Sequence, residues 1–549
     1  MEQPGKLTGK ENKFFAAAIV IMIVLSFWQC YRVTHDLNWY CEVDFDRDMA
    51  FVQGALDGHP EKDPNYKGEY IWYNPLLFSL EALVTKITGM PPYLVLARLG
   101  IYFNLLGPLF FILMTVRFFD FKIAAASLMY FLFFSAGNML AWGAATYSPW
   151  AYPVNFMQFI FYLNLLLCYN AFSTEKYSRF FLLGAMLGIS FLGHMAPTLL
   201  IILIMILIQS GKIINAIKGK NTKRARQYFY QGVVTFIPMI MVCSPFLFFV
   251  AGIYQFKIAN RTAFEATPFI MRWYNFPDLL REIISVSFFI SVIGFFWFFK
   301  NFHHSLIRKL ILYWFYTSAI LYVYSSLIGV MSNAFQINLP GTVPVFHFFF
   351  YLKGVQAVFY GFGFVFIAEK IISLFIRPDA SKPFRDFLKK YSGIILLLLI
   401  MVCILLYFPY YQKRHDFVHQ RNEAKIREGE KDKIETYKYI VKHIPGDKVI
   451  LCEKDATIFP VMPTARKMVS INLTLSNIYV DFKKRDEDRE AMLNYLKTGM
   501  PAAAEALFDE YEVSYVLLEN GDFENYITLP SMFDKIIFKN STYTLFQKS

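Results

Sequence analysis

Charge is what this sequence has least of. Only 17% of its 549 residues are Asp, Glu, Lys or Arg, while 56% are hydrophobic and 19% aromatic. An average soluble domain is nearer a quarter charged. The deficit excludes an ordinary soluble protein, because most of the chain has no polar face to give to water. Cysteine is also scarce. Cys30, Cys41, Cys168, Cys243, Cys403 and Cys452 are scattered and form no Cys-x-x-Cys pair, so neither a zinc-site spacing nor a disulfide framework is present. Of these, Cys41 and Cys452 are expected on the same side of the membrane, where a single bridge is conceivable but not expected. There is no Gly-rich phosphate loop, and no repeat or low-complexity tract. No cleavable leader is expected either. Lys6, Lys10 and Lys13 lead into an apolar run from Phe14 to Val33 with no small-residue cleavage site after it.

What is present is length in apolar runs. A hydrocarbon core of about 30 Å needs roughly 20 apolar residues in a helix. Eleven runs satisfy that reading, near 14–33, 93–116, 123–141, 151–172, 177–193, 196–214, 230–249, 279–299, 310–329, 345–367 and 392–410. The stretch from Tyr177 to Ile214 reads as a tight pair broken at Gly193-His194-Met195-Ala196-Pro197, since a pair returns the Lys- and Arg-rich loop after it to the cytoplasm. The net charge of +12 fits the same rule. Lys and Arg fill short loops between spans, so no nucleic-acid partner is expected. An odd number of spans puts the N-terminus in the cytoplasm and the C-terminus outside.

Two outer segments are large. The first is a loop over residues 35–92 within a membrane domain of residues 1–411. The second is a tail over residues 412–549. The tail opens with a charged, helix-compatible stretch, Lys413 to His443. Beyond Pro445-Gly446, β-rich runs at Lys448–Cys452, Lys467–Ile471, Val513–Leu518, Lys535–Phe538 and Tyr543–Phe546 alternate with helical patterns at Asp486–Leu496 and Ala502–Tyr511. This predicts a small soluble α/β domain.

The first loop carries the densest acidic cluster, Asp44-Phe45-Asp46-Arg47-Asp48. Phe45, Met49, Val52 and Leu56 make one apolar stripe at helical spacing. At 100° per residue Asp44, Arg47 and Asp48 share a neighbouring face, and Asp46 falls on another. Such a helix would lie at the membrane interface; a solvated acidic helix start is the bland alternative. Next comes Tyr70-Ile71-Trp72-Tyr73-Asn74-Pro75-Leu76-Leu77, which fits an interfacial helix start or an aromatic belt. Charged or titratable groups at the outer ends of spans are Arg98, His194, His347 and Lys353. Each could hold a lipid phosphate, against snorkelling for Arg98 and Lys353 and satisfied turn residues for the histidines. Arg261, Glu265, Arg272 and Asp278 follow span seven without a usable pattern.

Taken in order, these features resemble the GT-C superfamily, which includes protein O-mannosyltransferases and bacterial lipid A aminoarabinose transferases. Asp44-Phe45-Asp46-Arg47 is similar to the family's Asp-x-x-Arg, Tyr73-Asn74-Pro75-Leu76-Leu77 to its Tyr-Pro-Pro-Leu motif, and Leu192-Gly193-His194 to its Leu-Thr-His turn. Phe459-Pro460 through Ala465-Arg466-Lys467 resembles the terminal domain of the bacterial members. The resemblance implies a polytopic α-helical membrane protein of GT-C fold that moves a sugar, with inversion, from a polyprenyl-phosphate donor to a hydroxyl of a glycan, lipid or protein. Asp44 would be the base or acceptor-orienting group, with Asp46 and Asp48 as alternates. Tyr73 and Pro75 carry the loop motif. Arg47, Arg98, His194, His347 and Lys353 are the candidates for the donor phosphate. Two departures matter. Residues 135–152 lack the second acidic residue of many members, so a divalent metal is not indicated. His347 stands where several bacterial members have Arg. A transporter or flippase for lipid-linked sugar is the main rival, and an O-antigen ligase or polymerase the second. Mid-span charges and paired broken helices would favour the first; a large late Arg-rich loop without a terminal α/β domain would favour the second.

Overall fold

The computed structural model describes residues 9–42, 44–137, 143–260, 285–302, 305–337, 343, 345–375, 382–499 and 502–548. Two compact units emerge, each assembled from three segments. The first comprises Met1–His35, Leu99–Cys243 and Phe269–His419; the second comprises Asp36–Arg98, Ser244–Pro268 and Gln420–Ser549. By contacts, therefore, the first loop groups with the tail and not with the spans that flank it.

Among the described residues, eight helices are long and apolar enough to cross a membrane. They include α1 (Gly9–Thr34), which carries the first expected span, and helices that carry seven others. The remaining three expected spans fall on shorter apolar helices, Phe121–Phe134, Tyr177–Gly193 and Val286–Asn301. The chain is a multi-pass integral membrane protein. The break between the fifth and sixth spans lies where the sequence places it. The helix Tyr177–Gly193 ends, His194 is extended, and the next helix runs Met195–Lys218. His194 Nδ1 accepts the Ala196 N–H at 3.1 Å, which caps that helix, and Pro197 sits in the first turn, where its missing N–H costs nothing. Apolar attraction between helices is weak in lipid, so close backbone approach carries the packing. Val286–Asn301 and Val345–Phe375 cross at two glycines: a Cβ on Gly294 would lie 1.8 Å from the Phe359 carbonyl oxygen, and one on Gly363 would lie 1.9 Å from that of Ile290.

One span boundary differs from expectation. Residues 93–98 do not begin the second span; they form a separate helix, and the span begins at Gly100. Gly100 is pressed against the loop at Pro149, where a Cβ would lie 2.1 Å from the carbonyl oxygen, so only a residue without a side chain fits there.

The second unit begins with three helices of the first loop, α2 (Asp44–Leu56), α3 (Leu76–Thr88) and α4 (Pro92–Arg98). The tail supplies the part of the helix His415–Glu428 from Gln420 on and the helix Lys431–His443, then a five-stranded sheet: β1 (Val449–Cys452), β2 (Lys467–Met468), β3 (Val513–Glu519), β4 (Lys535–Lys539) and β5 (Tyr543–Gln547). The strand order is β2-β1-β3-β5-β4. The first three strands are parallel, β5 runs antiparallel to β3, and β4 antiparallel to β5. β1 is buried along its whole length, as a central strand covered on both faces should be. The loop is tied into this sheet. The Met468 N–H donates to the Asn65 carbonyl at 2.7 Å, and Lys467 Nζ donates to the Asp63 and Pro64 carbonyls at 2.6 and 3.0 Å. Cys41 and Cys452 are both buried.

Candidate active site

Helix α2 spans the residues its periodicity predicts, but its environment is not that of a half-solvated surface helix. Phe45 through Gln53 are all buried, the charged residues among them included. Burying charge is expensive unless each group finds a partner, and the partners differ on the two faces. Asp46 is tied down. Its Oδ1 accepts the Tyr40 hydroxyl at 2.6 Å and an Arg427 N–H at 2.5 Å, and its Oδ2 accepts from the same guanidinium at 2.7 Å. Arg427 also donates to the Cys41 carbonyl at 3.2 Å. Asp46 is a staple between loop and tail.

The other face is arranged differently. Arg47 donates twice to Asp48, through Nε at 2.9 Å and Nη2 at 2.7 Å, and both bonds end on Oδ1. Its third nitrogen, Nη1, lies 4.0 Å from Asp44 Oδ1. Its guanidinium stacks over the Tyr73 ring at 4.4 Å, a cation–π contact that fixes the fork's plane. Asp44 is the exception in this cluster, with its side chain 50% exposed. Burial pushes the Asp48 carboxyl up to about 6 against the pull of Arg47, and burial raises Asp46 as well. The face therefore presents one accessible carboxylate beside a guanidinium that a buried carboxylate and an aromatic ring hold in place. Pro75 precedes the first turn of α3, so the Tyr73-Asn74-Pro75 segment delivers Tyr73 to Arg47 from the start of that helix.

The remaining candidates separate. Arg98 ends α4 and donates to the Leu37 carbonyl at 2.8 Å and to Asn38 Oδ1 at 3.2 Å, so much of its donor capacity goes to its own loop. In the membrane unit His194 and His347 come together, with ring centroids 4.5 Å apart. Because His194 Nδ1 accepts a backbone N–H, a neutral His194 carries its proton on Nε2. His347 Nδ1 is buried with no hydrogen-bond partner among the described residues. Lys353 does not sit at a span end or snorkel outward. It lies about 12 Å along its helix from Val345 at 1.5 Å per residue, only 2% exposed. Its Nζ contacts the Tyr130 hydroxyl at 3.0 Å. Tyr130 opens a π-helical turn, Tyr130–Phe134, a local widening frequent at functional sites. Arg261, Glu265, Arg272 and Asp278 lie outside the described residues. Among the described residues, no three His, Cys, Asp or Glu side chains come together as a metal site.

No protein-family model matches this sequence, and no curated protein matches it by sequence. Solved structures do match its fold. ArnT from Cupriavidus metallidurans bound to undecaprenyl phosphate is 12% identical over 96% of this chain and 97% of its own, with a TM-score of 0.55. The apo state of the same protein is 11% identical over 97% and 98%, with a TM-score of 0.54. The fold is that of ArnT from Cupriavidus metallidurans. The oligosaccharyltransferase of Archaeoglobus fulgidus in the apo form also matches, at 12% identity over 94% of this chain and 71% of its own, with a TM-score of 0.49.

Within this fold, several buried polar groups escape sequence reading. Arg427 lies in the tail, and nothing in its local pattern points at Asp46. Glu81 sits on the buried face of α3, where it interrupts an apolar stripe, and that interruption is the signal. Arg414 and Asp416 follow the last span and read as the start of a charged tail. Instead they form a buried pair, with Arg414 Nε on Oδ1 at 3.0 Å and Nη2 on Oδ2 at 2.6 Å.

Proposed function

We propose that this chain transfers a sugar from a polyprenyl-phosphate-linked donor to an acceptor hydroxyl at the outer face of a cell membrane, with inversion. The observation that carries the reading is the half-exposed Asp44 beside an Arg47 fork locked by Asp48 and Tyr73, in a protein of GT-C fold. ArnT with undecaprenyl phosphate bound supports a lipid-phosphate donor. In the reaction the acceptor O–H bond breaks and its oxygen bonds to the anomeric carbon. The bond from that carbon to the phosphate oxygen breaks, and polyprenyl phosphate leaves with the electron pair. Asp44 takes the proton, as a carboxylate within hydrogen-bond reach of the hydroxyl can. Cationic and N–H groups steady the charge that grows on the phosphate, with Lys353, His194 and His347 as the candidates. Arg98 supports the loop, and Arg47 orients Asp44. The basic loops favour a cytoplasmic N-terminus with the C-terminus outside, and the Lys-, Ile- and Phe-rich composition fits a bacterial inner membrane as the setting.

The test compares lipid-linked and surface glycans by mass spectrometry in cells carrying the wild type, Asp44→Asn or no copy. Loss of one sugar from the glycan, with its polyprenyl-phosphate form accumulating in both the null and the Asp44→Asn cells, is the expected result, and the missing mass names the sugar. Null cells with an unchanged profile would overturn the transfer reading and favour a transporter. Asp44→Asn restoring the wild-type profile would move the base to Asp48 or Asp46.

A further inference from the structure

Behind the Arg47–Asp48 pair, two helices enclose more acid than base. Glu81 lies on the face of α3 that carries Leu77, Phe78, Ala82 and Thr85. It is 1% exposed. Its Oε2 and the Thr85 hydroxyl one turn on are both buried without a hydrogen-bond partner among the described residues. α3 packs on α2 through Phe51 and Phe78, whose rings stack at 5.1 Å; Asp48 lies one turn before Phe51 on its helix and Glu81 one turn after Phe78 on the other. The other charges nearby are committed elsewhere. Arg47 is bonded to Asp48, and Asp44 faces it at 4.0 Å from the half-exposed side. Asp46 belongs to Arg427. Lys86 of α3 is exposed. On α4, Arg98 turns to the Leu37 carbonyl and Tyr93 stacks on Trp39 at 4.9 Å. Two buried carboxyls thus have one guanidinium between them. An isolated buried carboxylate is costly enough that one member must hold a proton.

We propose that Asp48 and Glu81 are a proton-sharing pair, with Glu81 a positioning residue that keeps the pair's single negative charge on the Asp48 side, where Arg47 is held. Glu81 touches no substrate; it acts through Asp48 on Arg47 and so on Asp44. That last step rests on the transferase reading, whereas the pair itself does not. Burial also pushes the Glu81 carboxyl well above its usual range, and the sign of the linkage follows. A carboxyl that ionises later in the folded than in the unfolded state costs stability as pH rises above the unfolded value of about 4.3, and the cost grows until the folded group ionises. Glu81→Gln removes this cost.

The experiment measures thermal unfolding of the full chain in detergent for wild type, Glu81→Gln, Asp48→Asn and the double variant, between about pH 5 and pH 8.5. We expect Glu81→Gln to gain about 2 °C or more at the alkaline end relative to the acid end. The gain should shrink in the Asp48→Asn background, since coupled groups are non-additive. An infrared difference spectrum, wild type minus Glu81→Gln, should show the C=O stretch of a protonated carboxylic acid at neutral pH. Glu81→Met, which also lacks the carboxyl, serves in place of Glu81→Gln if the latter does not fold. A pH-independent Tm difference, full additivity with Asp48→Asn, or no such band would each overturn the pair. If the pair stands but Glu81→Gln leaves the kcat/KM–pH profile unchanged, its link to Asp44 is overturned instead. None of the stability readouts depends on the activity being glycosyl transfer.

Discussion

Two buried Arg–Asp pairs, one in each unit, show how the same chemistry is used in opposite ways. In the membrane unit, Arg414 spends its whole fork. Both Asp416 oxygens are taken, and the remaining N–H groups reach the Leu132 carbonyl at 3.5 Å, Thr146 Oγ1 at 3.4 Å and the Tyr147 carbonyl at 3.2 Å. The Asp416 backbone carbonyl accepts the Trp150 indole N–H at 2.7 Å. In the second unit, Arg47 doubles up on one oxygen of Asp48 and leaves Nη1 4.0 Å from a half-exposed carboxylate. A fully satisfied buried network specifies one arrangement of backbone. An incomplete one, fixed on its buried side and open on the other, keeps hydrogen-bonding capacity for something that arrives. The first pair is architecture, and the second has the form of a preorganised site.

The comparison can be broken by changing Asp44 beside the first-loop pair, Arg414 in the membrane unit and Asp46 on the opposite face of α2. The largest effect expected is on rate: Asp44→Asn should lower transfer by about 10²- to 10⁴-fold, the usual contribution of a positioned base. Its melting temperature should stay near wild type, because the side chain is half exposed. Equal loss of fold and activity would make Asp44 structural. Arg414→Met comes next and acts on stability alone. It leaves Asp416 buried without its partner, a loss of about 3–5 kcal/mol, read as aggregation or a steep fall in Tm during purification. A well-folded Arg414→Met with reduced transfer would place this pair in the chemistry. Asp46→Asn is third. Its charge-assisted bonds to Arg427 weaken while the Tyr40 bond can persist, which should cost about 2 kcal/mol with transfer per folded molecule near wild type. Loss of transfer at normal stability would make Asp46 the base.

The sequence makes some of this legible and hides the rest for a physical reason. Helix periodicity is local, so α2, the split at His194 and the tail strands could be read from nearby residues. Even the two faces of α2 are legible: Asp44, Arg47 and Asp48 lie together, and Asp46 turns to Tyr40 and Arg427. What could not be read is who sits opposite. Asp46 meets Arg427 across 381 residues of chain, and the loop's Asp63 meets Asn477 across 414. Such pairings are set by tertiary contact, and no spacing rule reaches them. Lys353 shows the converse. Hydropathy puts it at a span end, where it would hold a lipid phosphate or snorkel, but the π-helical turn at Tyr130 supplies a buried oxygen for it. Asn260 makes a further long-range pairing of this kind. Asn260 is buried, with its amide donating to the Asn477 and Val480 carbonyls and its oxygen accepting the Phe482 N–H, so it is a structural clasp of the second unit.

The smallest expected effect comes from a fourth Arg–Asp pair, after Arg414–Asp416, Arg47–Asp48 and Arg427–Asp46. Arg421 grips Asp36 with two parallel bonds, Nη1 to Oδ1 and Nη2 to Oδ2, each at 2.8 Å, yet the Asp36 side chain is 41% exposed. Water and salt screen such a pair, so Asp36→Asn should cost at most about 1 kcal/mol at low ionic strength and close to nothing at about 1 M salt. The pH dependence has the opposite sign to that of Glu81. The bonds to Arg421, with the nearby charges of Arg421 and Lys425, hold the Asp36 carboxyl well below its usual range. Its contribution is therefore complete above the unfolded value of about 3.9 and is lost as pH falls through the lower folded value. Thermal melts of wild type and Asp36→Asn should differ slightly at neutral pH and converge below about pH 4. A gap that matches the one for Asp46→Asn, or that widens on acidification, would mean that geometry outweighs burial in this protein, and the ranking of all the pairs would have to be redrawn.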